Sequence, residues 1–171
     1  YLVGTTYGRD VIFIQRTDTL LSSNKRSKET YNWNILVLDL HNVSLPHVYI
    51  EGRNRHKGNF YEALSMKNRE LVELPYGFLS GYDRLYGDRF ATRLSAVTAS
   101  MFPSLMPPER AAVLAHHFHM FDYEWHDDTL YVYFLSNYPT LAQLENMVNA
   151  GAWLAGELDT PTVCDVDEDE N

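Results

Sequence analysis

Phe121-Asp122-Tyr123-Glu124-Trp125-His126-Asp127-Asp128-Thr129-Leu130-Tyr131-Val132-Tyr133-Phe134 reads as one complete β-hairpin with its own register. Side chains alternate across a strand, so Phe121, Tyr123 and Trp125 share one face while Asp122, Glu124 and His126 share the other. A turn at Asp127-Asp128 sets Trp125 opposite Leu130, Tyr123 opposite Val132 and Phe121 opposite Phe134. Those apolar pairs agree on a single face, and Glu124/Tyr131 and Asp122/Tyr133 agree on the other. Agreement of this kind specifies register, because a slip of one residue would turn every side chain over. The turn type stays open, since Asp-Asp tolerates positive φ less readily than Asn-Gly. The hairpin thus predicts a core face anchored by Trp125, Leu130 and Val132, and an acidic face turned to solvent.

Downstream of the hairpin, Thr140-x-x-Gln143 is a capping-box signature. Leu141, Leu144, Met147/Val148, Gly151, Leu154/Ala155 and Leu158 then recur at helical spacing, which predicts an amphipathic helix packed on a sheet face. Gly151 and Ala152 would allow it a close approach. Upstream, Pro107-Pro108-Glu109 starts a helix that runs to about His117. Further strands are expected at residues 1–6 and 10–17, joined at Tyr7-Gly8-Arg9, then at Tyr31–Leu40, His47–Glu51 and Glu70–Leu74, with short strands near Tyr82–Tyr86. Gly4-Thr5-Thr6-Tyr7-Gly8-Arg9 joins strand to strand, so it reads as a hairpin and not as a phosphate loop. Asp18–Thr30 reads as a polar loop, Asn59 as the cap of a helix over Phe60–Lys67, and Ser95–Phe102 as a short helix. Asn42-Val43-Ser44 fits a glycosylation sequon. Strands outnumber helices and are joined mostly by short turns. The fold class predicted is α+β: a single domain over residues 1–158, with an antiparallel sheet of about five to seven strands and the C-terminal and shorter helices packed on it. Residues 159–171 read as a flexible acidic tail.

Charge is distributed unevenly along the chain. The 171 residues carry a formal charge of −9, yet no Lys or Arg follows Arg110. Two basic clusters, Lys25-Arg26-Lys28 and Arg53-Arg55-His56-Lys57, fall between predicted strands, where they are solvated loop tips or one basic surface for an anionic partner. General nucleic-acid binding is disfavoured, because the phosphate term needs a net basic face. No run approaches the ~18 apolar residues of a membrane span. Cys164 is the one cysteine, which excludes an internal disulfide and a thiolate metal site. A cytoplasmic setting is expected, with membrane tethering in the full-length protein if an anchor precedes Tyr1.

The densest group of chemistry-bearing residues is His116, His117, His119, Asp122, Glu124, His126, Asp127 and Asp128. Imidazole and carboxylate together suit Zn or Fe, and the candidate metal set is His119, His126 and Glu124. Against it, there is no His-Glu-x-x-His spacing, and histidines at a helix C-terminus are favourable for dipole reasons alone. No cofactor is predicted; Zn or Fe is the alternative. Tyr82, Arg84 and Tyr86, with Arg53, Arg55 and Lys57, form the candidate binding residues, since Tyr and Arg are frequent anchors at protein interfaces. No Gly-x-Ser-x-Gly elbow is present, and the acids around Cys164 raise its thiol pKa.

Three features resemble an uncharacterised family of bacterial α+β domains, some of whose members carry transmembrane segments upstream. They are the opening Gly4-Thr5-Thr6-Tyr7-Gly8-Arg9, the apolar run Ile35–Leu40 followed by Leu45-Pro46-His47-Val48, and the segment 121–133, the closest match. The family supplies no catalytic residues to carry over. Its usual acidic residue and glycine are replaced here by Pro75-Tyr76-Gly77. The leading functional expectation is a non-enzymatic binding or protein-interaction module, in the setting the resemblance implies. The alternative is a metal-dependent hydrolase built on residues 116–128.

Overall fold

The hairpin alternation recurs through the centre of an eight-stranded antiparallel sheet. The computed structural model describes residues 1–21, 28–41, 44–53 and 71–160. Its strands are β1 (Leu2–Thr6), β2 (Arg9–Leu21), β3 (Lys28–Asp39), β4 (Leu45–Gly52), β5 (Leu71–Glu73), β6 (Phe90–Ser95), β7 (Asp122–Asp127) and β8 (Thr129–Leu135). They lie in the order β1-β2-β3-β8-β7-β4-β6-β5, and every neighbouring pair is antiparallel. The helices are α1 (Arg84–Arg89), α2 (Phe102–Leu105), α3 (Pro108–His117) and α4 (Leu141–Asp159).

The α+β class and the antiparallel sheet agree with the sequence reading; the strand count exceeds the expected five to seven. The strand that sequence reasoning passes over is β6, where Phe90, Thr92 and Leu94 face the core in a run of only six residues. The short strands expected near Tyr82–Tyr86 give way to α1. Asp83 caps that helix by accepting the Leu85 N–H at 2.8 Å, which overrides the helix-weakening Gly87. The polar loop expected over Asp18–Thr30 is shorter, because β2 continues to Leu21 and β3 begins at Lys28. The helix expected over Phe60–Lys67, the sequon at Asn42, Cys164 and the tail beyond Thr160 lie outside the described residues.

The β7–β8 register is the one its pattern dictates: Asp122 faces Tyr133, Tyr123 faces Val132, Glu124 faces Tyr131 and Trp125 faces Leu130. The turn is made by Asp127 in the left-handed region, φ 53°, which a short polar side chain tolerates. The apolar face of the sheet carries Leu36, Leu38, Ile50, Tyr123, Trp125 and Val132, all buried, and α4 packs on it. The capping box of α4 is complete. Thr140 Oγ1 accepts the Gln143 N–H at 3.3 Å, and Gln143 Oε1 accepts the Thr140 N–H at 2.9 Å. Gly151 sets the helix–sheet distance. A Cβ there would lie 2.9 Å from Leu38 Cδ1, 3.1 Å from Leu36 Cδ2 and 3.2 Å from Val132 Cγ2.

The opposite face is aromatic. Trp33, Tyr49 and Tyr133 are buried there, with Tyr31, Ile35, Leu71, Tyr131 and Leu135 packed against them. Among the described residues no helix is long and apolar enough to cross a membrane.

Gly151 and Gly156 give a paired test of this packing. Gly151→Val overfills the contact with Leu36 and Leu38 and is expected to cost about 1–3 kcal/mol in urea denaturation. Gly156, around which a Cβ would meet nothing within 4 Å, should gain about 0.5–1 kcal/mol on replacement by Ala, from helix propensity alone. A Gly151→Val protein as stable as the parent would show that α4 does not approach β3 this closely.

Candidate functional site

The polar groups of the second sheet face converge on Glu124. β4 brings His47 and Tyr49 to this face, β7 brings Asp122 and Glu124, and β8 brings Tyr131 and Tyr133. The registers Tyr49↔Glu124 and Glu124↔Tyr131 put the carboxylate between two tyrosines. Its own partners are diagonal. His47 Nε2 lies 2.7 Å from Oε1, and the Tyr133 hydroxyl donates to Oε2 at 2.5 Å. An ionised carboxylate only accepts, so His47 carries its proton on Nε2. The ring of His126 packs edge-on against His47, with centroids 5.2 Å apart.

Burial pushes the Glu124 carboxyl upward. The hydrogen bonds from His47 and Tyr133, and the positive charge available on His47 and His126, outweigh that effect and hold it below the usual carboxylate range. Tyr133 is driven the other way, first by burial and then by the Glu124 charge it faces, so its phenol remains a donor. Tyr49 is likewise raised by burial and by Asp122. Asp122 is 2% exposed, and its Oδ1 accepts the Gly52 N–H at 2.7 Å. That bond extends the β4–β7 ladder beyond the Ile50/Tyr123 pair with a side chain. The acidic face of the hairpin is therefore interior at Asp122 and half-buried at Glu124, where the sequence suggests solvent. The difference arises because β4, which follows β7 in no sequential sense, supplies the donors.

Next to this cluster an ion-pair chain crosses from β4 to β5. Arg93 reaches Glu51 at 3.4 Å and Glu73 at 4.0 Å, and Arg53 reaches Glu73 at 2.6 Å. Arg53 Nε also donates to the carbonyls of Gly87 at 3.0 Å and Phe90 at 2.9 Å. Arg53 thus clamps the α1–β6 junction. Arg55 and Lys57 lie outside the described residues.

The other sequence-predicted residues separate. Tyr86 is fully buried and shares a 2.7 Å hydrogen bond with Thr92 Oγ1. The Tyr82 hydroxyl, pushed up to about 12 by burial and then by Glu109, donates to the Met106 carbonyl at 2.5 Å. Arg84 points outward, 3.6 Å from Asp88. His119 precedes β7 and is exposed, whereas His126 stands at the far end of that strand beside Asp127, 3.0 Å away. His116 pairs with Asp83 at 2.9 Å. Of the metal set His119, His126 and Glu124, the structure brings the last two to one face and adds His47 in place of His119. Among the described residues no group of three or more His, Cys, Asp and Glu is arranged to hold a metal ion. The signal for His47 was present in the alternation His47-x-Tyr49-x-Glu51; its pairing with β7 was not.

Among the described residues, two of the cavities lie away from Glu124. One, of ≈ 260 Å³, is lined by Gln15, Thr17, Asn32, Asn34, Asn137 and Tyr138, among others. Its amides largely satisfy one another, through Gln15–Asn34 at 3.1 Å, Thr17–Asn32 at 2.7 Å and Asn32–Asn137 at 2.8 Å. The other is an open groove of ≈ 670 Å³ between β1 and α4, where Thr5, Thr6 and Tyr7 face Leu141, Leu144 and Val148, with Glu145 and Asn149 at its margin.

No protein-family model matches this chain, and no curated protein sequence matches it. Among solved structures it is similar to the crystal structure of the mycobacterial trehalose monomycolate transport factor A, TtfA. The TM-score is 0.57 at 8% sequence identity, over 93% of this chain and 72% of that one. At that identity the likeness shows a common fold.

A carboxyl whose folded pKa is depressed stabilises the protein above the ordinary carboxylate range and loses that contribution as pH falls through the lowered value. Stability is therefore expected to decline on acidification below the ordinary Glu value of 4.5, and Glu124→Gln should remove part of that decline. At neutral pH Tyr133→Phe, which strips the donor from Oε2, should cost about 1–3 kcal/mol. Denaturant titrations at pH 7 and at acid pH read both. An acid response unchanged in Glu124→Gln would place its origin elsewhere.

Proposed function

We propose that this chain is a non-enzymatic binding module that docks a protein partner, as the soluble part of a membrane-associated bacterial protein. The observation that carries the reading is the groove between β1 and α4. Leu141 on its wall is 72% exposed, and Tyr7 on its floor is 75% exposed. Tyr7 also holds φ 49°, a left-handed conformation in which a bulky residue is an outlier. An aromatic kept exposed at a hairpin turn beside an apolar groove fits a contact surface better than packing. The polar residues of the second face point the same way. Glu124, His47, Tyr133 and Asp122 are spent on bonds within the sheet, and Arg53 and Arg93 on Glu73 and Glu51. The resemblance to bacterial α+β domains with upstream membrane segments supports the setting, and the structural neighbour's name, a transport factor, is compatible with it.

A second reading, a Zn- or Fe-dependent hydrolase, draws on Glu124 and His126 with His47 replacing His119. It is favoured only by the convergence of two imidazoles and one carboxylate on one sheet face. Metal analysis separates the two. Stoichiometric Zn or Fe lost on His47→Ala and His126→Ala supports the hydrolase.

The binding reading is tested by crosslinking in cells, followed by purification from membrane and soluble fractions over a range of salt. A defined partner, another protein or a second copy, is expected to survive high salt. Its recovery should fall at least about tenfold with Leu141→Asp, a change at an exposed site that leaves the core intact. Absence of any partner in both fractions at every salt concentration overturns the reading.

A further inference from the structure

The two edges of the sheet are built differently. The β5 edge is three residues long, and its Glu73 is tied to Arg53 and Arg93. Short length and charge are the usual protections of a strand edge. The β1 edge has neither. Leu2-Val3-Gly4-Thr5-Thr6 carries no charge and no proline, Leu2 is 71% exposed and Val3 70%. Among the described residues nothing pairs with its outer side.

The β1–β2 register says which backbone groups are free. The hairpin turns at Tyr7 and Gly8, with φ 49° and 76°, both positive as a type I′ turn requires. Thr6/Arg9 is then a hydrogen-bonded pair, as are Gly4/Val11 and Leu2/Phe13 by alternation. Val3/Ile12 and Thr5/Asp10 are the non-hydrogen-bonded pairs, so the N–H and C=O of Val3 and Thr5 project outward.

These features are self-complementary. We propose that β1 pairs antiparallel with β1 of a second copy of this chain, about a two-fold axis at Gly4, so that Leu2 of each copy enters the groove of the other. This rests on the reading of the chain as a binding module and names its partner. Centred on Gly4, the pairing sets Val3 against Thr5 of the second copy and Thr5 against its Val3. Both residues of each pair have outward groups, and four backbone hydrogen bonds form. Leu2 falls opposite Thr6 of the second copy. Leu2 and Thr6 lie on the helix side of the sheet, because Leu2 stands opposite Phe13 and Thr6 opposite Arg9, which shares its face with core-packed Val11 and Phe13. That side is where Thr6, Leu141, Leu144 and Val148 line the groove.

Two further observations fit. Gly4 has no reason within one copy to be glycine: its φ is not positive, and a Cβ there would meet nothing within 4 Å. Glycine inside a strand commonly marks a close approach of another backbone, and Gly4 meets its own copy at the axis. The second is charge. In a chain of net charge −9, residues 1–21 hold two arginines and two aspartates, so this edge is a neutral route by which two copies can meet. A five-residue strand with one leucine anchor buries less than the roughly 800 Å² per partner of a standard interface, so the dimer is expected to be concentration-dependent.

Sedimentation of the full chain from micromolar to sub-millimolar concentration, with single-cysteine crosslinking, tests this. Wild type is expected to dimerise. Val3→Pro removes an outward N–H but no bond to β2, and should raise the dimer dissociation constant at least about tenfold with an unchanged circular dichroism spectrum. Gly4→Cys in a Cys164→Ser background should give a disulfide-linked dimer on mild oxidation, since cross-strand Cα atoms at a non-hydrogen-bonded pair lie about 4.5 Å apart. Val3→Cys in the same background should not. If the chain is monomeric throughout while Leu141→Asp abolishes capture of a different protein, the self-pairing is overturned and the binding reading stands. If it is monomeric and captures nothing, both fall. A dimer that is indifferent to Val3→Pro and not crosslinked by Gly4→Cys overturns the β1 interface.

Discussion

The alternation along β7 is the constraint on which the rest of the structure depends. Tyr123 and Trp125 commit one side of the sheet to the helices. Asp122 and Glu124 are thereby committed to the other, one residue away, buried at Asp122 and half-buried at Glu124. Burial of carboxylates costs several kcal/mol unless they are hydrogen-bonded. The neighbours of β7 meet that demand: Gly52 of β4 for Asp122, and His47 of β4 with Tyr133 of β8 for Glu124. Tyr133 is explained here, since a phenol supplies both apolar area and a donor in one side chain.

The hairpin register, α3 and α4 were readable because each rests on local pattern: alternation, a proline start and a capping box. The site was not readable, because it depends on β4 sitting between β7 and β6. Nothing local in Leu45–Gly52 says that its neighbours come from residues 122–127 and 90–95. Without β4, Glu124 and Asp122 look like a solvated face, and His119 looks as good a neighbour of His126 as any. With it, His47 takes that place and His119 stands apart. Tyr82, Arg84 and Tyr86 do not share one face, for a simpler reason. The strand expected there is wound by α1 at a period of 3.6, which sends Tyr86 inward and Arg84 outward.

The sheet also divides labour between its ends. From β8 to β6 both faces carry buried side chains, and polar groups are consumed in holding strands together. Toward β1 the sheet thins: Ile12 is 39% exposed, Leu2 and Val3 more so, and among the described residues only the flank of α4 lines a groove with the strand. Residues free to meet something outside the chain therefore collect where the core is shallowest.

The pairing of β3 with β8 bears on how the chain is made. Asn34 donates its side-chain amide to the carbonyl of Phe134, a residue 100 positions later. At a synthesis rate of about 5–20 residues per second, β3 waits roughly 5–20 s for the strand that will cover its edge. During that interval Ile35-Leu36-Val37-Leu38, an uncharged β-branched and aliphatic run without proline, is presented to other nascent chains. A sheet whose centre is closed by its last strand folds late, so the apolar run of β3 gains its partner only when β8 has been made.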